Sequence, residues 1–533
     1  MSTAYSSIPT GGNYDIPPSL PAGLLFKVKA IQNLSKQTIK MVPNNGQGDV
    51  WAGQKVIVTL PPNSLVDLST FEFNYTGYTQ HNGNAVAAGP TGYCQTRFFP
   101  RNSQSILEGV EIKINGSSRQ NISQYNYLYN MLYDFTCGTD GNNKNRIGQN
   151  ADPSCKYVYQ LGQVKRRAGY PLGRTADPAT ANDQDQYSVR NWLGLLGPNA
   201  STTIIDTSML GEVTIEISLA PSGVLMLGDT PGNAAINAVA AANGETGVAI
   251  AGGVALGAQL AAEGTSYKIS DISFTISRID LPQSVYDAMN SVLASGVAYQ
   301  LWYPNYSIFT GQPTTGKSGT TRISISTSSL EMVIGTFQVP NRDQQSFPIT
   351  YDYTTANNNG AWINNDDSKG EWGTNAKTFK QAVLQGLPIT FNQSKYFIRN
   401  GTQIKNARWA VGNVFFNYET PLEMYNGVLK AFNSQNDVLG GCYEGLDCLP
   451  KFQDTYFAHI LSLNAPGEND IYTVSGLNSS ETPVQISWEV TGGDLATNNK
   501  DAIGGGGACT PVIIACYSSH LDIRAGRNIT TLM

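Results

Sequence analysis

One segment of this 533-residue sequence matches a nucleotide-binding motif letter for letter. The segment runs from Gly311 to Ser318 in the order Gly-Gln-Pro-Thr-Thr-Gly-Lys-Ser. In a phosphate-binding loop the backbone amides surround the phosphates, Lys317 reaches the terminal phosphate and Ser318 holds magnesium. That chemistry also requires a helix that begins at the lysine. The residues after Ser318 alternate between polar and β-branched types, which predicts a strand, so we interpret the segment as a hairpin loop.

Residues for nucleophilic or acid–base catalysis form no recognisable set. His520 lies beside Ser518 and Ser519 in an alternating segment, and the sequence contains no Gly-x-Ser-x-Gly elbow. Two acidic pairs could be considered as glycosidase carboxylates, Glu444 with Asp447 and Asp366 with Asp367. Both pairs lie in polar segments that we expect to be loops. We interpret these acids as solvated charge and expect the protein not to be an enzyme.

The cysteines and histidines have no metal-binding spacing. No Cys-x-x-Cys occurs, and none of the three histidines lies near a cysteine pair at zinc-finger distance. We expect the seven cysteines to be mostly reduced and buried, as in a protein that folds in a cytosol: Cys94, Cys137, Cys155, Cys442, Cys448, Cys509 and Cys516. The sequence therefore predicts no catalytic, cofactor-binding or metal-ligating residue.

Composition and charge argue against several partners. Only 14% of the residues are charged and the net charge is −6, so nothing draws the whole chain to nucleic acid. The most basic stretch is the short run 165–167, which we interpret as a strand edge. The sequence begins without a signal-peptide pattern, and the Ala/Gly-rich stretch 234–262 lacks the bulk of a membrane span.

Strict alternation of apolar and polar residues is the dominant periodicity. A period of two with one polar face predicts half-buried antiparallel strands, as in sandwiches and barrels. The clearest examples are 110–114, 212–219, 272–276 and 484–490. The composition, rich in Gly, Asn, Ser and Thr, suits many short strands and turns.

Three segments have helical periodicity instead, at 123–135, 282–295 and 420–432. The third begins with a capping box, Thr420 and Glu423, and has Pro421 at its first helical position. We expect its apolar residues to be buried: Leu422, Tyr425, Val428, Leu429 and Phe432.

These elements occur in the same order twice. In each half, a strand ending in Asn-Gly precedes a helix, an alternating strand, a polar insertion and a final strand. In the first half these are Asn115-Gly116, 123–135, 212–219, an Ala/Gly/Asn insertion and 267–279. In the second half they are 396–399 with Asn400-Gly401, 420–432, 484–490, 491–508 and 512–523. Such a repeat predicts two copies of one domain, with helix 282–295 as the linker.

The order of four segments resembles the double jelly-roll major capsid proteins of virophages, polinton-like viruses and larger relatives. The segments are Ile112-Lys113-Ile114-Asn115-Gly116 before the Tyr-rich helix, 211–220, Ile279-Asp280-Leu281-Pro282 and 521–527. The resemblance covers about Leu24 to Ile529. It implies an all-β fold of two tandem eight-stranded antiparallel jelly-roll barrels, with a few short accessory helices and long loops. The expected domains are an N-terminal arm (1–23), a first jelly roll (24–281), a linker helix (282–296) and a second jelly roll with its C-terminal tail (297–533).

The resemblance also implies a function. It indicates a viral structural protein that forms a homotrimer of pseudo-hexameric outline, tiles an icosahedral shell and is assembled inside a host cell into virions. Neighbouring capsomers, penton or vertex proteins and minor capsid proteins are the implied partners, without cofactors and without sequence-specific nucleic-acid binding. We expect the polar inserts 136–154, 228–266 and 350–380 to form an outer crown or clasps. The arm 9–21 and the tail after Ile523 are candidates to extend into neighbours.

Two alternatives remain open on the sequence. The first is a secreted or surface β-sandwich that binds or cleaves carbohydrate, in which tryptophans stack on sugars: Trp302, Trp362, Trp372 and Trp409. For most of these residues we favour packing in a core or interface. The second is a single jelly roll with very large loops, which the repeated order of elements disfavours.

Overall fold

The structure is a computed structural model, and the residues that it describes are mostly strands with the helices and turns beside them. The main described ranges, which contain a few short gaps, are 35–81, 95–98, 103–136, 156–165, 185–229, 265–280, 298–339, 388–390, 395–432, 456–463, 476–493 and 509–532. Isolated residues between these ranges are also described.

The first half of the chain forms a two-layered β-sandwich. Its alternating segments form strands because their apolar side chains all turn to one face, as in Val213–Leu219, where every second residue is buried. The strands of this half are β1 (Ser35–Met41), β2 (Val50–Trp51), β3 (Lys55–Thr59), β4 (Leu65–His81), β5 (Gln95–Phe98), β6 (Leu107–Ile114), β7 (Ser117–Ser123), β8 (Lys156–Gln160), β9 (Gln163–Lys165), β10 (Asp185–Val189), β11 (Ile204–Asp206), β12 (Val213–Leu219), β13 (Met226–Asp229) and β14 (Thr265–Asp280).

The second half forms another two-layered sandwich. Its strands are β15 (Tyr299–Thr310), β16 (Ser318–Ile325), β17 (Leu330–Gln338), β18 (Pro388–Thr390), β19 (Ile404–Val411), β20 (Val414–Phe415), β21 (His459–Ser462), β22 (Val484–Gly492), β23 (Thr510–Arg524) and β24 (Asn528–Leu532). Predicted strands 484–490 and 512–523 thus correspond to β22 and β23.

Strand order identifies both sandwiches as jelly rolls. In the first, one sheet has the order β1-β14-β4-β10 and the other β3-β12-β6-β7, all antiparallel. In the second, the orders are β15-β23-β17-β21 and β16-β22-β19-β20. The eight strands named in these two orders can be lettered B to I along the chain in each half. Strands β1 and β15 are then B, β7 and β20 are F, and both halves have sheets B-I-D-G and C-H-E-F. This is the eight-stranded double Greek key of a jelly roll, so the predicted double jelly roll is confirmed and a single jelly roll is excluded.

In the part of the chain that the structure describes, the helices are few and short. They are α1 (Tyr125–Thr136), α2 (Thr207–Leu210) and α3 (Pro421–Ala431), accompanied by 3-10 turns such as Ser103–Ile106 and Lys395–Phe397. The predicted capping box is confirmed, because the backbone N–H of Thr420 donates to Glu423 Oε2 at 2.6 Å. The predicted burial of Leu422 is wrong, since this side chain is 54% exposed and the buried residues of α3 are Met424 and Val428. In the predicted linker helix, Asp287, Ser291 and Ala294 are helical.

The hairpin that precedes the helix differs from the prediction in the second half. In the first half, Asn115 (φ 51°) and Gly116 (φ 75°) form the tight turn between β6 and β7. The equivalent turn in the second half lies at Gly412, between β19 and β20, and not at Asn400-Gly401. Segment 396–399 is not a strand. All four of its residues are buried, in a 3-10 turn and in the extended chain after it, and they do not alternate across a sheet.

The C-terminal tail folds back on its own chain. The prediction that the tail after Ile523 extends into a neighbour is wrong for 525–532, because a 3-10 turn with Gly526 at φ 76° reverses the chain and β24 pairs with β23. The side chain of Thr531 on β24 accepts a hydrogen bond from Arg119 Nη1 of the first sandwich at 3.2 Å. The tail therefore closes the junction between the two sandwiches.

Candidate interaction surfaces

Helix α1 lies between the two sandwiches and is buried along nearly its whole length. On the side of the first sandwich, Asn126 Nδ2 donates to the carbonyl of Ser105 at 3.0 Å, and Asn130 Nδ2 donates to the Ser105 hydroxyl at 2.8 Å. Both asparagines have no exposed surface. Because buried amides need partners, these bonds fix the helix against the 3-10 turn that contains Ser105.

The opposite side of α1 contacts the second sandwich. The Tyr127 hydroxyl donates to the backbone carbonyl of Phe337 at 3.3 Å, and the ring of Phe135 packs on Phe432 with centroids 5.4 Å apart. Burial raises the pKa of Tyr127 to about 12, so its hydroxyl keeps the proton that it donates. The helix therefore joins the two domains through both apolar and polar contacts.

An ion pair without solvent exposure crosses this junction. Arg399 Nη2 lies 2.7 Å from Asp134 Oδ2, and both side chains are fully buried. The guanidinium also lies over the rings of Phe135 and Tyr456, at 5.4 and 5.8 Å from their centroids. A buried pair of this kind holds its partners in one relative position, since removing either charge leaves the other uncompensated.

A second polar cluster joins the halves beside the first. Tyr396 donates its hydroxyl proton to the carboxylate of Glu108, and burial raises the pKa of Tyr396. The guanidinium of Arg342 stacks over the Tyr396 ring at 4.1 Å and lies 3.8 Å from Glu108. Glu108 belongs to β6 of the first sandwich, whereas Tyr396 and Arg342 belong to the second.

Edge strands also meet at the junction. Strand β7, the last strand of its sheet in the first sandwich, lies against β15, the first strand of the larger sheet in the second. Gln120 Nε2 donates to Pro304 O and to Asn305 Oδ1, each at 3.2 Å. The Tyr303 hydroxyl donates to the carbonyl of Arg119 at 3.1 Å. The contact is thus made between an F strand and a B strand.

The corresponding F strand of the second sandwich, β20, has exposed side chains in the part of the chain that the structure describes. We call the exposed apolar residues on β20 and the segment after it the 415 patch: Val414 (62% exposed), Phe415 (59%), Phe416 (38%), Tyr418 (46%) and Leu422 (54%). The Arg408 guanidinium lies over the Phe415 and Tyr418 rings at 4.7 and 4.5 Å, and its Nε is 2.6 Å from Glu489. Five exposed apolar side chains within nine residues of sequence are typical of an interaction site.

Among the described residues, the same holds for the corresponding B strand of the first sandwich. Strand β1 is an edge strand whose side chains are mostly exposed, among them Lys36 and Lys40. Val42 follows it, 48% exposed, and Trp51 on β2 is 37% exposed. We call β1, Val42 and Trp51 the β1 edge. Outside the 415 patch and the β1 edge, the described residues contain one further exposed large apolar side chain, Ile204.

One buried histidine has well-placed partners inside the second sandwich. Trp488 Nε1 donates to His459 Nδ1 at 2.9 Å, and His459 Nε2 lies 3.3 Å from Glu419 Oε2. Because Nδ1 accepts a hydrogen bond here, the neutral ring carries its hydrogen on Nε2, facing the glutamate. The arrangement anchors the segment before α3 to the core and offers no nucleophile.

The segment that matches the phosphate-binding motif is a loop between two strands. Strand β15 ends at Thr310 and β16 begins at Ser318, so the residue after Lys317 enters a strand, as predicted. Residues 311–325 are all described and include no helix. The loop therefore lacks the helix N-terminus that would bind a phosphate.

The remaining sequence candidates are scattered. His520 is buried against the Trp302 ring, with centroids 4.3 Å apart, and lies 3.7 Å from Asp522. Trp409 is 1% exposed and stacks on Trp488 in the core, so it is not a platform for a sugar. Several candidates lie outside the described residues: Trp362, Trp372, Asp366, Asp367, Glu444 and Asp447.

Other expectations are tested only in part. Cys509 and Cys516 are buried thiols, as expected, and burial raises the pKa of Cys516; the other five cysteines lie outside the described residues. In the part of the chain that the structure describes, no group of His, Cys, Asp or Glu is arranged to hold a metal ion. Among the same residues, no helix has the length and apolar character to span a membrane. The arm 1–23 and most of the three polar inserts fall outside the described ranges.

Sequence reasoning missed the residues that build the junction. The burial of Arg399 and Asp134 is set by residues far along the chain, so no local pattern marks it. The 415 patch did carry a signal, since Val414-Phe415-Phe416 is a run of three apolar residues next to a hairpin glycine, where polar residues are expected.

Comparison with known proteins gives matches at the level of structure. No family model matches the chain, and no curated protein matches its sequence. Among solved structures, the capsid of the virus PBCV-1 is 14% identical with a TM-score of 0.47, covering 94% of this chain and 96% of that one. The Sputnik virophage structure is 12% identical (TM-score 0.48; 94% and 88% covered), and the Faustovirus major capsid protein is 10% identical (0.49; 98% and 93%). The jelly-roll assignment follows from strand order within this chain and does not depend on these likenesses.

Proposed function

We propose that this chain is the major capsid protein of a double-stranded DNA virus, which forms a homotrimer of pseudo-hexameric outline and tiles an icosahedral shell. The supporting observation is the complete jelly-roll strand order, present twice in one chain and joined into one block by a buried junction. Jelly rolls serve as capsid subunits, lectins and cupins, so fold alone leaves several functions open. The duplication and the fixed junction favour the shell protein.

A shell subunit needs rigidity and broad contacts, and both follow from the junction. The buried ion pair of Arg399 and Asp134 and the contacts of α1 hold two sandwiches side by side as one unit. Two sandwiches per chain mean that three chains place six similar domains around an axis. The contacts between such chains would be broad, because the interfaces of obligate oligomers commonly bury more than about 2,000 Å².

The proposal is that the chain acts by assembly and not by catalysis, with no cofactor. Its domains would be the arm 1–23, jelly rolls 24–281 and 297–533, and the linker 282–296. Other copies of the chain, penton or vertex proteins and minor capsid proteins would be its partners in the virion. The net charge of −6 supports the proposal that other proteins, and not this chain, bind the genome.

Among the residues that the structure describes, carbohydrate binding finds no comparable support. Of the four tryptophans considered for sugar stacking, Trp409 belongs to the core and Trp302 is half-buried under His520. A sugar-binding platform requires aromatic faces open to solvent.

The test is the mass and shape of the purified chain. Size-exclusion chromatography with light scattering should give a particle three times the 57.3 kDa chain mass. Negative-stain images should show a hexagonal outline. A protein that remains monomeric at all concentrations and binds oligosaccharide would contradict the proposal.

A further inference from the structure

We propose that His459 is an acid-sensitive switch inside the second sandwich. While its ring is neutral it holds helix α3 and the segment 416–420 against the core, and protonation loosens both. The ring contacts the core through one nitrogen and the segment before α3 through the other. The switch belongs to a single chain and goes beyond the proposed function.

The ring of His459 lies where α3 meets the sandwich. His459 is the first residue of β21 and has no exposed surface. Helix α3 packs on this strand. The segment before α3 is joined to β19 by two backbone hydrogen bonds between Glu419 and Ala407, of 2.7 and 3.0 Å. A change at this ring therefore acts on the attachment of α3 and of the segment that precedes it.

The hydrogen bond from Trp488 requires a neutral ring. Trp488 Nε1 donates to His459 Nδ1 at 2.9 Å, and Trp488 is 1% exposed. A protonated imidazole carries a hydrogen on both nitrogens, so it cannot accept this bond. Two N–H groups would then face each other where water does not reach, and an unsatisfied buried donor is costly. Protonation in place therefore breaks the contact between the ring and the core.

Glu419 compensates the protonated ring only weakly. Its Oε2 lies 3.3 Å from His459 Nε2, but the approach lacks hydrogen-bond geometry and the glutamate side chain is 40% exposed. Solvent screens the attraction between such a carboxylate and a cation. The bond that is lost is buried, whereas the ion pair that is gained is partly in water. Acid therefore shifts the population towards an arrangement in which the ring has left Trp488.

Among the described residues, the other charged side chains on the elements around β21 bond elsewhere or face solvent. On β17, Glu331 accepts a hydrogen bond from the Ser518 hydroxyl, and burial raises the pKa of Glu331. On β22, Glu489 pairs with Arg408 of β19. The remaining charged residues of β19 and α3 are exposed: Lys405, Glu423 and Lys430. Of these groups, Glu331 is the rival that a test must separate from His459.

Loosening of this region changes the surface of the chain. Three of the five residues of the 415 patch lie in the segment before α3 or in its first turn: Phe416, Tyr418 and Leu422. Histidine is the side chain that ordinarily changes charge between about pH 5 and 8. The 415 patch is therefore presented in one form at neutral pH and in a looser form in mild acid.

Hydrogen–deuterium exchange of the full chain, read by mass spectrometry, tests the loosening. Exchange is compared at about pH 7.5 and about pH 5.5, the range in which histidine titrates, after correction for the intrinsic effect of pH on exchange. We expect peptides covering 416–432 to exchange about tenfold faster in acid, because local opening is linked to proton binding. Peptides covering β12 of the first sandwich should not change.

Three variants separate His459 from its rivals. His459→Gln offers an amide oxygen as an acceptor for Trp488 but does not titrate, so its exchange should be the same at both pH values. His520→Gln alters the second buried histidine of the described residues, and Glu331→Gln removes the rival carboxyl. Both should keep the wild-type response. A wild-type chain without an acid response in 416–432, or the same response in His459→Gln, would overturn the inference.

A second measurement holds even where His459→Gln does not fold. The chain has seven tryptophans, so a deuterated sample with ¹⁵N-labelled indoles gives few N–H signals, which Trp→Phe variants at each position assign. We expect the Trp488 signal to move upfield as the pH falls, because its N–H loses its acceptor. A Trp488 signal that is unchanged across the same pH range would contradict the switch.

Discussion

Helices α1 and α3 follow the same hairpin in their respective sandwiches, yet their surroundings are opposite. Almost every residue of α1 is buried, including the polar Asn126, Asn130 and Asp134. In α3 only Met424 and Val428 are buried, and Leu422 in the first turn faces solvent. The difference arises because the second sandwich covers α1, whereas nothing within the described chain covers the start of α3. Equivalent positions in a duplicated fold thus differ in burial according to what lies beside them.

The largest expected effect comes from the buried ion pair. Arg399→Ala leaves Asp134 as a buried, unpaired carboxylate, which should lower the free energy of unfolding by about 3–5 kcal/mol. Arg408→Ala removes an ion pair with Glu489 on the exposed surface and should lower the stability much less, because solvent screens that pair. Urea denaturation of both variants, measured under conditions that keep the chain monomeric, checks the contrast. Equal losses would show that the junction is no more protected from water than the patch.

The next effect concerns leucines in the two helices. Leu128→Ala in α1 removes a fully buried side chain and should cost about 3 kcal/mol. Leu422→Ala in α3 should change the stability of the monomer by less than about 0.5 kcal/mol, because that side chain is mostly exposed. Thermal melts of dilute protein provide the measurement. A large loss for Leu422→Ala in a monomer would mean that α3 is already covered within one chain.

A smaller effect is expected from two tyrosine hydroxyls. Tyr127→Phe leaves the buried carbonyl of Phe337 without its donor and should cost about 1 kcal/mol. Tyr418→Phe removes an exposed hydrogen bond to Glu489, and water replaces it with almost no loss. Urea midpoints for the two variants should differ in that order, and the reverse order would contradict the assigned burial.

The smallest effect depends on pH. The hydrogen bond from Lys113 lowers the pKa of Glu216 on β12, a strand whose counterpart β22 carries Glu489 in the second sandwich. A carboxyl with a lowered pKa in the folded state contributes stability above its unfolded pKa, near 4.5, and loses it as pH falls through the folded value. Glu216→Gln should therefore cost less than about 1 kcal/mol at pH 7, and the difference should vanish in acid. Melting curves from pH 7 to pH 3 test this, with Lys113→Met as the control that removes the partner.

Much of the fold could be predicted from the sequence because alternation is a local property. Segments such as 212–219 and 484–490 show which face is buried, and both are strands with that burial. The capping box at Thr420 likewise fixed the start of α3. The doubled order of these elements predicted two copies of one domain, and the resemblance to double jelly-roll capsid proteins implied that each copy is a jelly roll.

The junction could not be predicted, because its burial comes from contacts between distant parts of the chain. Tyr396 and Phe397 form an apolar run that suggested a strand, yet they are buried where the two sandwiches meet. Leu422 has helical spacing typical of a core position, yet its expected neighbour is absent from the described residues of a single chain. In both cases the local pattern identified apolar side chains correctly but did not indicate which part of the structure covers them.

The position of β23 along the chain has a consequence for synthesis. This strand is central in its sheet and begins at Thr510, whereas β14, its counterpart in the first sandwich, ends at Asp280. About 230 residues separate the two, which takes a ribosome on the order of 10–50 s. During that interval the first sandwich can be complete while the face of α1 that awaits its partner is still bare. The nascent chain therefore passes through a stage in which the most deeply buried of the described helices is exposed, when a chaperone has the most to protect.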